Sequence, residues 1–212
     1  MQITHLGHAA VLVEVASRRI LIDPGNFSDA WHSLTDLDAI MVTHQHADHV
    51  DPQHLPTLLA ANPAARVLVE PQGLDSVDLP GAAGIASDTS VDLGAVTVSA
   101  VGGQHAVIHA DIPQIGNVGL VIHASGEPVF FHPGDSLSAI PHGIDVVAIP
   151  AYGPWAAMKE TIEFVRQVNA PRGFLIHQGL LNQRGEDLIA SRVPQLSRTA
   201  LQPLVVGQPW QI

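Results

Sequence analysis

Six residues constrain this chain more than any others. In the run Thr43-His44-Gln45-His46-Ala47-Asp48-His49, four metal-type side chains fall within six positions. They come directly after the apolar run Ala39-Ile40-Met41-Val42, which reads as a short buried strand. No structural role accounts for three imidazoles and a carboxylate packed this densely. A His-x-His pair on a tight loop can bring two imidazoles to one cation. Zinc accepts imidazole nitrogen and carboxylate oxygen. Asp48-His49, adjacent in sequence, would point to a second ion. A fold that presents this loop therefore needs a rigid strand behind it and further donors converging from elsewhere.

Those donors recur at one kind of place. His105 follows the apolar run that starts at Val96, Asp135 follows Val129-Phe130-Phe131, and His177 follows Phe174-Leu175-Ile176. Loops that leave a rigid scaffold at strand ends commonly carry function. If these ends share an edge, five His and two Asp meet in one cleft, which is the donor supply that two-metal hydrolases use.

The remaining pattern supplies the scaffold. Strands are expected at 10–15, 20–22, 39–42, 66–69, 96–100, 118–123, 129–131, 145–149 and 174–176, with Ser125-Gly126-Glu127-Pro128 joining a hairpin. The stretch from Gly84 to Ala100 reads as strand, turn, strand, with its first strand from Ile85 onward. Pro52 to Ala61 reads as a helix with Pro near its start, which Pro56 shortens or kinks. Met158 to Asn169 is helical by period and is stopped by Pro171, and Glu186 to Arg192 is a further helix. The tail, Leu204 to Val206 and Trp210 to Ile212, is expected to form a closing pair of strands. Neither repeat nor linker divides the 212 residues, which predicts a single domain, 1–212, of sheets covered by helices.

Composition narrows the functions. The chain has no Cys, which excludes disulfides, thiolate ligands and Cys nucleophiles. Nine Lys and Arg against a net charge of −11 argue against nucleic acid as the main ligand. A bound divalent ion would reverse the local charge of an acidic cleft. The N-terminus lacks the basic-then-apolar pattern of a signal peptide, and no apolar run approaches the ~20 residues of a membrane span. A cytoplasmic protein acting on a small molecule without a membrane is expected, with its oligomeric state open and a homo-oligomer allowed.

His44-x-His46-x-Asp48-His49 resembles the signature of the metallo-β-lactamase superfamily. Gly103-Gln104-His105, Gly134-Asp135-Ser136 and His177 then follow in that family's order, and Ile20-Leu21-Ile22-Asp23-Pro24-Gly25 resembles another of its elements. The resemblance implies an α+β fold, the four-layer αββα sandwich, with the site at one edge. It implies two divalent metal ions, zinc first, with manganese or iron open. His44, His46 and His105 would hold one; Asp48, His49 and His177 the other; and Asp135 would bridge them. A metal-bridging hydroxide would attack a small ester-like substrate (a lactone, thioester or phosphodiester), with Asp48 also orienting it. Asp23 is expected to orient a ligand histidine, and His8 and His109 to line the substrate pocket. Turn formation by Asp23 and loop hydrogen bonding by the two histidines are the competing roles. The stretch from Gly7-His8-Ala9 to His109 is closer to the sugar-lactonase-like (ascorbate-6-phosphate lactonase-like) branch than to the antibiotic-destroying enzymes. The alternative is a catalytically inactive metal-binding protein of the same fold.

Overall fold

The computed structural model describes residues 1–76 and 78–212. Within them the chain runs β1 (Gln2–His5), β2 (Val11–Val15), β3 (Arg18–Ile22), β4 (Ala39–Val42), α1 (Leu55–Ala61), β5 (Arg66–Val69), α2 (Pro71–Ser76) and β6 (Ala83–Gly84). It continues through β7 (Ser90–Asp92), β8 (Val96–Gly102), β9 (Val118–Ala124), β10 (Phe130–His132) and β11 (Val146–Pro150). The remainder is α3 (Met158–Val168), β12 (Arg172–Ile176), α4 (Gln183–Leu196), β13 (Ala200–Leu201) and β14 (Pro209–Gln211).

Two seven-stranded sheets form. One has the order β14-β1-β2-β3-β4-β5-β6 and the other β13-β12-β11-β10-β9-β8-β7. Central strands such as β4 and β11 are apolar and buried at successive positions, so both faces of each sheet must be covered there. On β2, Val11, Val13 and Val15 join the core between the sheets, whereas Leu12 packs outward with Leu55 and Leu58 of α1. On β11, Val146 and Ala148 face the inter-sheet core, whereas Val147 and Ile149 pack outward with Phe164 and Val165 of α3. This period of two yields three apolar layers and hence four layers of structure, the αββα sandwich.

The helices seat themselves by local chemistry. In α3, Ile162, Phe164, Val165 and Val168 are buried. The Glu160 carboxylate accepts from the Ala157 N–H at 3.0 Å, satisfying a donor left free at the helix start. Asn169 ends the helix in the left-handed region (φ 54°), which Asn tolerates, just before Pro171.

Strand direction positions the site. β3, β4 and β5 are parallel, and β1 runs the same way because β2 is antiparallel to both β1 and β3. In the second sheet β10, β11 and β12 are parallel, and β8 shares their direction because β9 opposes both β8 and β10. The loops after β1, β3 and β4 therefore leave one edge of the first sheet, and those after β8, β10 and β12 leave one edge of the second. Cross-sheet bonds from His177 N–H to His8 O (2.9 Å) and from Val118 N–H to Thr43 O (3.0 Å) tie the sheets together there.

Several expectations need correction. The helix expected from Pro52 begins at Leu55, with Pro56 in its first turn, where a missing N–H costs no hydrogen bond. Ile85 follows β6 instead of opening a strand, and the pairing ahead of β8 comes from Ser90–Asp92. Leu204 to Val206 is not a strand: Val205 and Val206 are exposed, and the edge positions go to β13 and β14. The helix expected at 186–192 extends over Gln183–Leu196 with Pro194 inside it.

Candidate metal centre

The loop after β4 is shaped by its neighbours. The N–H groups of His49 and Val50 both donate to His46 O, at 2.9 and 3.0 Å, curling the loop so that its side chains share one side. The turn after β3 clasps it: Asn26 N–H donates to Ala47 O and Asp51 N–H to Pro24 O, each at 2.9 Å. A Cβ on Gly25 would lie 1.7 Å from Asp48 O, so only glycine permits this approach. Gly134 has the same function after β10. Its φ is +62°, and a Cβ there would meet Asn117 Oδ1 at 2.3 Å.

Two clusters result. Donor atoms of His44, His46, His105 and Asp135 all lie within 4.8 Å of one another, as do those of His8, Asp48, His49 and His177. Asp135 stands between the clusters. Its Oδ2 lies 3.5 Å from His105 Nε2, 3.8 Å from His44 Nε2 and 3.1 Å from His177 Nε2, and its Oδ1 lies 3.1 Å from His49 Nε2. The seven residues singled out by the sequence thus converge, with His8 added. Asp135 and the histidines at 44, 49, 105 and 177 are buried.

The histidine rings are oriented from behind. His49 Nδ1 donates to Asp23 Oδ2 at 2.8 Å. His105 Nδ1 donates to Ala106 O at 2.6 Å, and His177 Nδ1 donates to Tyr152 O. Thr43 Oγ1 donates to Asp23 Oδ2 at 2.8 Å, so it accepts from His44 Nδ1 at 3.1 Å. In all four rings Nδ1 is committed as a donor, which leaves Nε2 aimed at the cluster. The Nε2 atoms of His49, His105 and His177 and Oδ1 of Asp135 are buried without an aligned hydrogen-bond partner among the described residues. Buried polar atoms are rarely left in that state; here four of them converge on one volume. His46 presents Nδ1, 3.1 Å from His44 Nε2. That is close to the ~3.3 Å between two nitrogens each ~2.0–2.1 Å from a tetrahedral zinc. These residues fit a metal.

Backbone strain gathers at the same point. His8, Asp23 and His177 have φ of 49°, 51° and 59°, a region non-glycine residues seldom occupy. Such costs persist where surrounding structure holds the residue in place, commonly at functional sites.

The electrostatics divide the cluster. Burial, reinforced by the neighbouring His49, holds His44 well below the usual histidine pKa; burial and then His105 lower His46. Burial also pushes His49 and His177 down, but nearby carboxylates outweigh it. Asp135 and Asp23 hold His49 well above the usual value, and Asp135 with Asp48 raises His177 to about 9. Burial would raise Asp135, yet His49 and His177 hold it well below the usual carboxylate range. Asp48 likewise resists burial through His177 and His8 and stays ionised.

The other residues named from sequence divide. Asp23 is fully buried; Oδ1 accepts from Thr43 N–H at 2.8 Å while Oδ2 serves Thr43 Oγ1 and His49. His8 donates from Nε2 to Asp48 Oδ2 at 3.0 Å, and its Nδ1 accepts from Gly179 N–H at 3.2 Å. His109 is not brought into the cluster: its ring is 64% exposed and accepts from Asp111 N–H within its own loop. Sequence reasoning did not find Asn117, whose Oδ1 accepts from Asp135 N–H at 2.9 Å. Nor did it assign Trp155 to Asp135, where Nε1 donates to Oδ2 at 3.1 Å. Trp155 also lines a cavity of about 350 Å³ with His105, Val107, Gln114 and Ser136.

Known proteins resemble this chain in sequence and in fold. Residues 2–173 fit a family model described as a beta-lactamase superfamily domain. The chain belongs to the metallo-β-lactamase superfamily. It is 39% identical over 205 residues to Protein Rv0786c of Mycobacterium tuberculosis, covering 96% of each chain. A UPF0173 metal-dependent hydrolase of Xanthobacter autotrophicus is 35% identical over 152 residues, which are 64% of this chain and 62% of that protein. Among solved structures, Igni18, a metallo hydrolase of the archaeon Ignicoccus hospitalis, aligns with a TM-score of 0.72. That alignment covers 100% of this chain and 98% of Igni18 at 16% identity, a likeness of superfamily fold.

Proposed function

We propose that this protein is a metal-dependent hydrolase with a dinuclear centre, acting on a small ester-like substrate: a lactone, a thioester or a phosphodiester. The observation that carries the reading is the convergence of unpartnered, buried Nε2 and carboxylate atoms around Asp135. His44, His46 and His105 would hold one ion, Asp48, His49 and His177 the other, and Asp135 would touch both. The donor set of nitrogens and carboxylates suits zinc, and manganese or iron also accept it. When bound, such ions supply Lewis acidity and lower the pKa of coordinated water. The names of the hydrolase relatives support the same chemistry.

The protein's own side chains do the rest. Asp48 is the least buried carboxylate of the cluster and is held ionised, so its Oδ atoms can accept a hydrogen bond from the attacking water and orient it. His8 fixes its rotamer through the bond to Oδ2. Trp155 closes one wall of the cavity beside His105 and steadies Asp135 through Nε1. A cavity of about 350 Å³ is of a size to hold a small ester. Within this range a lactone is the substrate we favour, on the resemblance of the stretch from Gly7 to His109 to sugar-lactonase-like enzymes.

The test is turnover of a panel of lactones, thioesters and phosphodiesters by zinc- and manganese-loaded protein. Hydrolysis of at least one class, lost on chelation and restored by metal, is expected. No hydrolysis of any class by protein shown to be metal-replete would overturn the proposal.

A further inference from the structure

A third group of donors lies outside the seven-residue cluster. His32, Asp51 and His54 place one donor atom each within 4.8 Å of one another. They come from two parts of the chain: the segment after Gly25, and the link between the β4 loop and α1. His32 and His54 stack with ring centroids 4.3 Å apart and planes 21° from parallel. The Asp51 side chain is only 4% exposed, and its Oδ2 accepts from His54 Nδ1 at 2.6 Å. Oδ1 accepts from Gln53 N–H at 2.8 Å.

Two observations set this group apart from ordinary helix-start chemistry. First, His32 Nε2 is shielded from solvent and has no hydrogen-bond partner among the described residues, although its neighbours are polar. A helix start would explain Asp51 and His54, but not an orphaned ring nitrogen delivered from a separate segment. Second, the group lines a cavity of about 700 Å³, together with Asn26, Ser28, Asp29 and Gln53. The cavity gives an ion and its remaining water ligands a way in. The backbone behind the donors is pinned: Trp31 Nε1 donates to Gly25 O at 3.0 Å, and Asp51 N–H donates to Pro24 O at 2.9 Å.

We propose that His32, Asp51 and His54 form a further divalent cation site, separate from the cluster around Asp135. Two imidazoles and one carboxylate, with an open position toward the cavity, suit zinc or a neighbouring first-row ion. Magnesium and calcium prefer all-oxygen sets. The ion takes the free Nε2 of His32, and the paired Asp51 and His54 complete the protein's share of its donors. It ties the segment after Gly25 to the start of α1, and so braces from outside the turn that clasps the β4 loop.

The inference does not depend on hydrolase activity, and its test is a difference in metal count. Metal-free wild type, His54→Ala, His32→Asn and Asp135→Ala are titrated with zinc to saturation by equilibrium dialysis. Zinc per chain is read by elemental mass spectrometry, and the fold is checked by circular dichroism. His54 is 43% exposed, so its truncation leaves the fold intact. The expected result is one zinc fewer per chain in His54→Ala and in His32→Asn than in wild type. Combining His54→Ala with Asp135→Ala should remove the sum of the separate losses. Equal zinc content in wild type, His54→Ala and His32→Asn would overturn the site, whatever Asp135→Ala shows. Loss confined to Asp135→Ala would leave the dinuclear reading standing without it.

Discussion

Asp23→Asn isolates what a buried carboxylate does behind the metal ligands. Asp23 is 0% exposed and accepts three hydrogen bonds at 2.8 Å, from Thr43 N–H, Thr43 Oγ1 and His49 Nδ1. Asn has the same shape and tolerates the left-handed backbone at φ 51°, so the substitution changes chemistry without adding strain. Its carbonyl can still serve Thr43 N–H, but its amide now points N–H groups where Oδ2 accepted. The Thr43 hydroxyl can rotate to accept. His49 cannot rotate away, so its proton must leave Nδ1 for Nε2, the atom that faces Asp135. The ring then offers the cluster an N–H in place of a lone pair. Loss of such an outer partner typically costs about 10–100-fold in metal affinity, or about 1.4–2.7 kcal/mol. One mispaired buried donor adds about 1–3 kcal/mol of lost stability in the metal-free protein. Chelator competition gives the zinc affinity, and urea unfolding of metal-free protein gives the stability. Zinc affinity within twofold of wild type, with stability changed by less than about 0.5 kcal/mol, would refute the reasoning.

Four further outcomes follow from the same geometry. His177 must be neutral to bind a cation, and its pKa of about 9 in the metal-free chain means that zinc uptake near neutral pH displaces a proton. Apparent affinity should therefore rise with pH toward 9, with calorimetric heats that depend on the buffer; buffer-independent heats would contradict this. The same raised pKa stabilises the metal-free protein in full below pH ~6.5, the unfolded value, and that contribution fades as pH rises through about 9. Gly25→Ala drives a Cβ to within 1.7 Å of Asp48 O; the turn must open, and zinc per chain measured by elemental analysis should fall. Trp155→Phe keeps an aromatic wall but removes the donor to Asp135 Oδ2. It should lower kcat by a few-fold to tenfold, the scale of one hydrogen bond of ~1 kcal/mol, with zinc content unchanged; an unchanged kcat would remove Trp155 from the account.

The site was more legible than the frame around it, and the reason is local density. His44 to His49 announces itself because four donors crowd one loop after an all-apolar strand, and the other donors each follow an apolar run. Residues that act through distant partners left no such trace. Asn117 reaches Asp135 across 18 positions, and Trp155 reaches it across 20, with no periodicity to mark either. His8 was expected to line the substrate pocket or to serve as a loop histidine, and its bond to Asp48 left no local trace because the two are 40 residues apart. Among the elements, long apolar strands such as Val118–Ala124 were readable, and the strand expected at Trp210 to Ile212 lies at Pro209–Gln211, whereas β13, with two residues, is made by pairing at a sheet edge. Leu204 to Val206 has the composition of a strand, but no neighbouring edge takes it up. Position His109, four residues beyond His105, suggested a shared pocket; the loop instead turns His109 to solvent.

The central claim is that Asp135 joins two ions held by the histidines that follow three strands, β4, β8 and β12. Its most direct test is the zinc content of saturated wild type compared with Asp135→Ala, by elemental mass spectrometry on untagged protein. The account predicts that the variant binds two fewer zinc ions per chain while keeping its fold by circular dichroism. A folded Asp135→Ala variant with the wild-type zinc content would contradict it.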